Sequence, residues 1–234
     1  MKIIDIKQKL NNIGVSLEDL SLGDFDVIGK FTAERSRDRT HHLYNSAGCF
    51  YRSNYERGIL IYSLIKKYKI SSMLEIGFGR GYSTFCATKA FKDFGIDGKI
   101  VTIDPNFDEN FLNQLTNIFP KSWFDCISFM KGTSKEVLPS LQSQKFDLVY
   151  IDGDHSYEAT KFDWENTKNL YNKCLLFDDY HLPSKNDPGI QCQKLIDEIE
   201  DESKELIIMD RRIFFDDRKI PDEQIDYGQV LLTK

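Results

Sequence analysis

From residue 54 onward, short apolar runs alternate with segments whose apolar residues recur at helical spacing. Asn54 is a residue type that caps helices, and apolar residues within 59–65 can line one face of the helix that follows. The run at 72–77 predicts a buried strand, because it is apolar and leads into glycines. Further strands are expected at 99–104, 124–130, 146–152 and 174–178, with β segments at 205–215 and 229–233. Helices are expected at 83–94, 110–119, 134–141, 157–171 and 188–200.

Strands that alternate with helices at this spacing indicate an α/β fold with a doubly wound, mostly parallel sheet and helices on both faces. In such sheets ligands bind beyond the carboxyl ends of the strands, where the strand order reverses. Functional residues are therefore expected just after the strands at 72–77, 99–104, 146–152 and 174–178.

The first 50 residues are polar and weakly patterned, with charged residues clustered at 34–39. They predict an N-terminal arm or lid of one or two short helices and a loop, ahead of a main domain at residues 51–234. His41 and His42 lie in this arm. As part of a lid they could reach a pocket, and as a solvated pair they would have no role there.

The first strand leads into the segment EIGFGRG at 75–81. Glycines allow a sharp turn and a close approach of the backbone to a ligand, at the N-terminus of the next helix. The spacing is G-x-G-x-G, and the third glycine of a dinucleotide fingerprint would fall at Tyr82, which disfavours a nicotinamide-dependent oxidoreductase. The second strand ends in Asp104, a carboxylate that can accept hydrogen bonds from ribose hydroxyls.

This pattern resembles the class I S-adenosylmethionine-dependent methyltransferases, and the resemblance implies their Rossmann-like fold. It implies that Glu75 helps to bind the ammonium end of the methionyl group and that Asp104 holds the ribose. Gly77, Gly79 and Gly81 would pass close to S-adenosylmethionine.

Ser134 follows the third strand, where the family often has a small or polar residue beside the adenine. The same serine is equally suited to be an ordinary helix N-cap, and the two interpretations are compatible.

Two acidic segments follow the fourth and fifth strands: YIDGDHSYE at 150–158 and LFDDYH at 176–181. Neighbouring strand ends would bring four aspartates and two histidines to one rim of the pocket. Carboxylates so close together need a cation or a network of donors, and oxygen ligands favour Mg²⁺ or a similar ion. Alternatively, these residues are helix caps and turn acids, positions that Asp and Ser favour.

These segments resemble the macrolide-sugar O-methyltransferases and cephalosporin-type biosynthetic enzymes and, more distantly, the metal-dependent catechol O-methyltransferase. The resemblance implies that Asp152, Asp178 and Asp179 are metal ligands, and that Asp152 also belongs to the catalytic and cofactor-contacting residues. His155 stands where that enzyme has its general base, and a neutral histidine suits proton abstraction from a hydroxyl. His181 is the alternative base.

The resemblance covers residues 72–180, with two departures. Asp179 replaces an asparagine, which adds negative charge, and the segment 171–173 replaces the usual Pro-Gly-Gly turn.

With 41% hydrophobic residues the 234-residue chain can form a full core, and its formal charge of −6 argues against a nucleic-acid partner. No signal-like or membrane-spanning apolar run occurs, so a cytoplasmic protein without membrane association is expected. The five cysteines lack CxxC spacing and are expected to be reduced and mostly buried.

The sequence thus predicts an S-adenosylmethionine-dependent, magnesium-assisted O-methyltransferase of a hydroxylated metabolite or sugar. The alternatives are a metal-independent N- or O-methyltransferase using Asp152 and His155, and a catalytically silent binding module. Whether the chain forms a homodimer is left open. Some aromatic residues near the expected entrance could pack against the acceptor, or simply against the core: Tyr44, Phe50, Tyr51, Tyr157 and Tyr180.

Overall fold

A computed structural model describes residues 1–16, 20, 24, 25, 28, 55–107, 109–181, 190–209 and 227–234. The strands in that part are β1 (Lys2–Asp5), β2 (Ser72–Ile76), β3 (Lys99–Asp104), β4 (Ile127–Lys131), β5 (Phe146–Ile151), β6 (Tyr171–His181), β7 (Glu205–Ile208) and β8 (Tyr227–Thr233). The helices are α1 (Ile6–Asn12), α2 (Tyr55–Tyr68), α3 (Tyr82–Asp93), α4 (Glu109–Thr116), α5 (Lys121–Phe124), α6 (Ser134–Val137), α7 (Tyr157–Thr167) and α8 (Cys192–Glu198), with a 3₁₀-helix at Leu138–Leu141.

The eight strands form one sheet in the order β1-β7-β8-β6-β5-β2-β3-β4. All neighbouring pairs are parallel except those made by β8, which is antiparallel to both β6 and β7. The chain proceeds from β2 to β3 and β4, then returns to the other side of β2 as β5. The strand order therefore reverses between β2 and β5, and the predicted doubly wound, mostly parallel sheet is confirmed.

Two hydrophobic layers enclose the sheet because alternate residues of its central strands point to opposite faces. Met73 of β2 belongs to one layer, with residues of α1, α2 and α3. Leu74 belongs to the other, with the 3₁₀-helix and α8. Both faces of β2 are thus covered, and the carboxyl ends of the central strands remain the place for a pocket.

The boundaries differ from expectation in several places. β6 begins at Tyr171, which pairs with Phe146, so the predicted strand 174–178 is too short. Helix α7 ends at Thr167, four residues before the end of the helix predicted at 157–171. The strand predicted at 124–130 is observed as β4 and begins only at Ile127, because Phe124 still belongs to α5. The predicted helix 134–141 is split after Val137, ahead of Pro139. Of the β segment expected at 205–215, residues 205–208 form β7, and those from 210 lie outside the described residues.

The N-terminus contributes a strand that the sequence analysis missed. β1 pairs in parallel with β7 at one edge of the sheet. The Asp5 side chain then caps α1 by accepting a hydrogen bond from the backbone N–H of Gln8 at 2.8 Å. α1 agrees with the helix expected there, while the predicted loop of the arm lies outside the described residues. The division into residues 1–50 and 51–234 stays a prediction.

The described cysteines carry free thiols, and three of the four are buried: Cys86, Cys174 and Cys192, with Cys126 half-buried. Among the described helices, none combines the length and the apolar character needed to cross a membrane.

Candidate active site

Gly77 allows β2 and β5 to approach each other at the reversal of strand order. Its φ is 93°, and a Cβ there would lie 1.9 Å from the carbonyl oxygen of Asp152. The backbone N–H of Asp152 donates to the Ile76 carbonyl at 2.8 Å, and that of Gly77 to the Ile103 carbonyl at 2.9 Å. A side chain at this position would therefore force the two strand ends apart.

Asp104 binds the glycine loop from the end of β3. One carboxylate oxygen accepts a hydrogen bond from the backbone N–H of Gly79 at 2.9 Å, and the other from that of Asn106 at 2.7 Å. Gly79 and Gly81 both have positive φ, and Gly81 forms the N-cap of α3. Each carboxylate oxygen of Asp104 keeps a lone pair for a further donor.

Glu75 lies behind the loop, and the structure does not give it the direct contact with a ligand that the sequence predicts. The residue has no exposed surface, and its carboxylate accepts hydrogen bonds from Ser83 and Thr84 of α3 and from Thr102 of β3, the last at 2.6 Å. Burial raises the pKa of Glu75 to about 7, although the three hydroxyl donors oppose the rise. The carboxylate thus joins β2, β3 and the start of α3, and so holds the glycine loop in shape.

A cavity of about 700 Å³ opens at the carboxyl ends of β2, β3 and β5. This volume suits a nucleoside-sized ligand. Six of the predicted site residues line it: Gly77, Gly79, Asp104, Ser134, Asp152 and His155. The topology therefore brings most of the predicted cofactor residues and the predicted base to one pocket, whereas Glu75 and Gly81 do not line it.

The two aspartates at the end of β6 take different environments because the strand is irregular there. Its pairing with β8 shifts register between Phe177 and Tyr180, and Asp179 has a φ of 50°, a conformation that Asp tolerates better than most residues. As a result Asp178 points into the core, whereas the side chain of Asp179 keeps 22% of its surface exposed.

The metal-ligand role predicted for Asp178 is corrected by its surroundings. Its side chain has no exposed surface and accepts from the Tyr150 hydroxyl at 2.5 Å, from Gln229 Nε2 at 3.1 Å and from the backbone N–H of Asp179 at 2.8 Å. Arg57 Nη2 lies 2.8 Å from its Oδ2. These donors occupy the carboxylate and leave it no path to a cation in the pocket.

Arg57 is a site residue that sequence analysis missed. It belongs to α2, far from the motifs in sequence, and besides Asp178 it lies 3.5 Å from Asp152 Oδ2 and 3.5 Å from Asp179 Oδ1. Burial and the neighbouring carboxylates raise the pKa of Asp152 well above its usual value, and the guanidinium opposes this. The guanidinium of Arg57 thus supplies part of the positive charge that the sequence analysis expected a metal ion to bring to these carboxylates.

His155 faces the exposed aspartate of the pair. Its Nε2 lies 3.3 Å from Asp179 Oδ2, and the side chain is 32% exposed. Ligand atoms of Asp152, His155 and Asp179 all lie within 4.8 Å of one another. Two carboxylates and an imidazole are donors that fit a divalent cation, in a set that replaces Asp178 by His155.

On the other wall of the cavity, Thr133 and not Ser134 is the N-cap of α6. The Thr133 hydroxyl accepts from the backbone N–H of Glu136, and the Glu136 carboxylate accepts from that of Thr133 at 2.8 Å. The N-cap interpretation of Ser134 is therefore wrong. Ser134 lines the cavity, and its side chain hydrogen-bonds to the Asp163 carboxylate. Asp163 of α7 also lines the cavity, a residue for which the sequence carried no signal beyond its helix.

Among the remaining candidates, Tyr157 and Tyr180 do not line the cavity. The Tyr157 hydroxyl donates to Glu198 at 2.7 Å and that of Tyr180 to Asp197 at 2.8 Å, contacts typical of packing. The side chain of His181 lies outside the described part of the structure, as do His41, His42, Tyr44, Phe50 and Tyr51.

Comparison with known proteins finds a matching domain and a shared fold. A family model described as "Methyltransferase domain" matches residues 74–180, the segment that carries the glycine loop and both acidic strand ends. No curated protein sequence matches the chain.

Solved structures share the fold at low sequence identity. The O-methyltransferase TomG from Streptomyces achromogenes, in complex with S-adenosylmethionine, is 17% identical with a TM-score of 0.56, over 87% of this chain and 89% of that one. The O-methyltransferase from Bacillus cereus, in complex with S-adenosylhomocysteine, is 17% identical with a TM-score of 0.57, over 88% and 100%. The methyltransferase PaMTH1 from Podospora anserina is 18% identical with a TM-score of 0.55, over 89% and 88%.

The chain has the Rossmann-like fold that these methyltransferases share, and its residues 74–180 match a methyltransferase domain.

Proposed function

We propose that this enzyme transfers a methyl group from S-adenosylmethionine to a hydroxyl oxygen of a small molecule. One observation carries the proposal: the cavity bordered by the glycine loop and Asp104 also contains His155, which is paired with Asp179. The proposed cofactor site and the proposed proton acceptor thus share one pocket.

In this proposal Asp104 accepts hydrogen bonds from the ribose, and the backbone at Gly77 and Gly79 borders the methionyl end. Glu75 is a positioning residue that acts through the loop. When bound, S-adenosylmethionine supplies an electrophilic methyl group on a sulfonium. Holding the acceptor oxygen in line with that methyl accounts for much of the rate enhancement expected of such an enzyme.

His155 takes the proton of the acceptor. With the hydrogen of Nε2 directed to Asp179, Nδ1 is left as the basic nitrogen, and Asp179 stabilises the imidazolium that forms. As the new oxygen–carbon bond forms and the sulfur–carbon bond breaks, the hydroxyl proton moves to His155. General-base catalysis of this kind contributes about 10²–10⁴-fold.

We include assistance by Mg²⁺ or a similar divalent cation in the proposal, held by Asp152 and Asp179, with His155 beside it as the base. Such a cation, when bound, lowers the pKa of the acceptor hydroxyl. Arg57 favours the second candidate, a metal-independent O-methyltransferase, because its guanidinium already lies within 3.5 Å of both aspartates.

The acceptor we propose is a hydroxylated metabolite or sugar. The acceptor end of the cavity is rich in carboxylate oxygens, which accept hydrogen bonds from hydroxyl groups. Structural relatives such as TomG, an O-methyltransferase of tomaymycin synthesis, support a small-molecule acceptor of this kind.

The test is methyl transfer from labelled S-adenosylmethionine to a panel of catechols, sugars and other hydroxylated compounds. We expect His155→Ala to lower kcat/KM by about 10²–10⁴-fold for any accepted compound, because the proton acceptor is lost. Glu158→Gln, at an exposed position three residues further along, is the matched control and should retain turnover.

Chelation separates the two candidates. Turnover that is lost in EDTA and restored by Mg²⁺ or Mn²⁺ supports the cation-assisted route, and unchanged turnover supports the metal-independent one. Turnover of His155→Ala equal to that of the unmodified enzyme would remove His155 as the base. Cofactor binding without turnover of any compound would point to a silent binding module.

A further inference from the structure

Asp163 is a buried acid in the wall of the proposed cofactor cavity that the methyl-transfer chemistry does not use. It lies on α7 with 1% of its surface exposed. Its carboxylate is close to the Ser134 side chain, and its Oδ2 is 3.6 Å from the position of a Cβ on Gly153. Asp163, Ser134 and Gly153 all border the cavity.

One oxygen of this carboxylate has no hydrogen-bond partner in the protein. Asp163 Oδ1 is inaccessible to solvent and accepts from no donor among the described residues. A buried acceptor without a partner is costly, and proteins of this size contain few of them. Burial raises the pKa of Asp163 to about 6, so at pH 7.5 the group is ionised and can only accept. The wall of the cavity therefore contains a carboxylate oxygen that has no donor among the described residues.

The donors available on S-adenosylmethionine are its ammonium group, the two ribose hydroxyls and the exocyclic amino group of adenine. In the proposed function, on which this inference rests, Asp104 binds the ribose and the loop at Gly77 borders the methionyl end. Asp163 belongs to a separate wall, formed by α7 and the segment 132–135. The donor left for it is the amino group of the base.

We propose that Asp163 is the residue that recognises the adenine of the cofactor, by accepting a hydrogen bond from its exocyclic amino group. A 6-oxo group in place of the amino group presents an acceptor to the carboxylate, and neither is then satisfied. Asp163 thereby selects an adenosyl over an inosyl nucleoside.

The experiment compares the affinities of the full chain for S-adenosylhomocysteine and its deaminated analogue S-inosylhomocysteine by calorimetry at pH 7.5. We expect the adenosyl compound to bind about 10- to 100-fold more tightly, the range for one hydrogen bond to a charged group. Asp163→Asn, which exchanges an acceptor for a donor at constant size, should bring this ratio close to one or reverse it. Glu165→Gln, which removes a charge from an exposed residue of the same helix α7, should keep the ratio.

A second measurement needs no variant. Protonation of Asp163 turns its acceptor into a donor, so the ratio for the unmodified protein should fall as the pH is lowered from 7.5 to 5. Comparing two ligands at each pH cancels effects that they share.

The possible results distinguish a failure of this inference from a failure of the proposed function on which it rests. If neither compound binds, the proposed function fails, and the inference fails with it. If both bind equally well to the unmodified protein, or if folded Asp163→Asn keeps the original ratio, the cofactor site stands and the role of Asp163 is overturned.

Discussion

Glu75 shows how a single buried carboxylate can shape a site without touching the ligand. Three hydroxyl groups donate to it, and those hydroxyls come from β3 and the start of α3. The sequence indicated the importance of this acid through its place before the glycines, but not its orientation, which depends on which neighbours supply donors. The same limitation applies to Asp178, because the three residues that bury it come from distant parts of the chain: Arg57, Tyr150 and Gln229.

The raised pKa of Glu75 gives the stability of the protein a defined dependence on pH. The folded state retains a proton between pH 4.5 and about 7 that the unfolded state has released, so the unfolding free energy falls as the pH rises through this window. The full effect is on the order of 3 kcal/mol.

In Glu75→Gln this contribution disappears. Urea unfolding at several pH values should therefore show the stability of the variant, relative to the unmodified protein, increasing by on the order of 3 kcal/mol between pH 4 and pH 8. Parallel curves for the two proteins would mean that Glu75 does not titrate in this window.

Among the elements, those around the pocket were the most predictable. β2, β3 and β5 are mostly apolar and are followed by or end in glycine or aspartate, and their observed bounds lie within a residue or so of those expected. Elements whose limits depend on tertiary pairing were less predictable. Tyr171 joins β6 through its pairing with Phe146. Phe124, the first residue of the strand predicted from apolar content, is instead the last residue of α5.

The glycine loop offers a test at the level of the element, since its glycines differ in the space around them. Gly77→Ala should lower the unfolding free energy by about 2–5 kcal/mol, because its Cβ would meet the Asp152 carbonyl and its φ is unfavourable for alanine. Gly79 has a φ of 53°, but no atom of the described residues lies within 4 Å of the place that a Cβ would take, so Gly79→Ala should cost only about 1–2 kcal/mol. Equal costs in urea unfolding would contradict the close approach of β2 and β5.

For the molecule as a whole, the sequence predicted the sheet type and the meeting of the strand ends, since strands alternating with helices leave few arrangements. It did not predict β1, the strand at the far edge of the sheet. β1 has four residues, too few for a periodic signal, and it is a strand because β7 lies beside it. The salt bridge between Lys9 and Glu205 links α1 to β7 as well.

β1 is therefore expected to contribute to global stability and not to behave as a detachable arm. Ile4 is 2% exposed and its neighbour Ile3 is 63% exposed. Ile4→Ala should lower the unfolding free energy by about 2–5 kcal/mol, whereas Ile3→Ala should change it by no more than about 0.5 kcal/mol. If thermal or urea unfolding showed no difference between the two variants, β1 would not be part of the cooperative fold.

Titration calorimetry with S-adenosylhomocysteine tests whether the glycine loop and Asp104 form the S-adenosylmethionine site. We expect heat from a single site per chain, an affinity at least about tenfold weaker in Asp104→Ala, and no heat with NAD. A chain that gives no heat with the nucleoside, or whose affinity is unchanged by Asp104→Ala, would contradict this assignment.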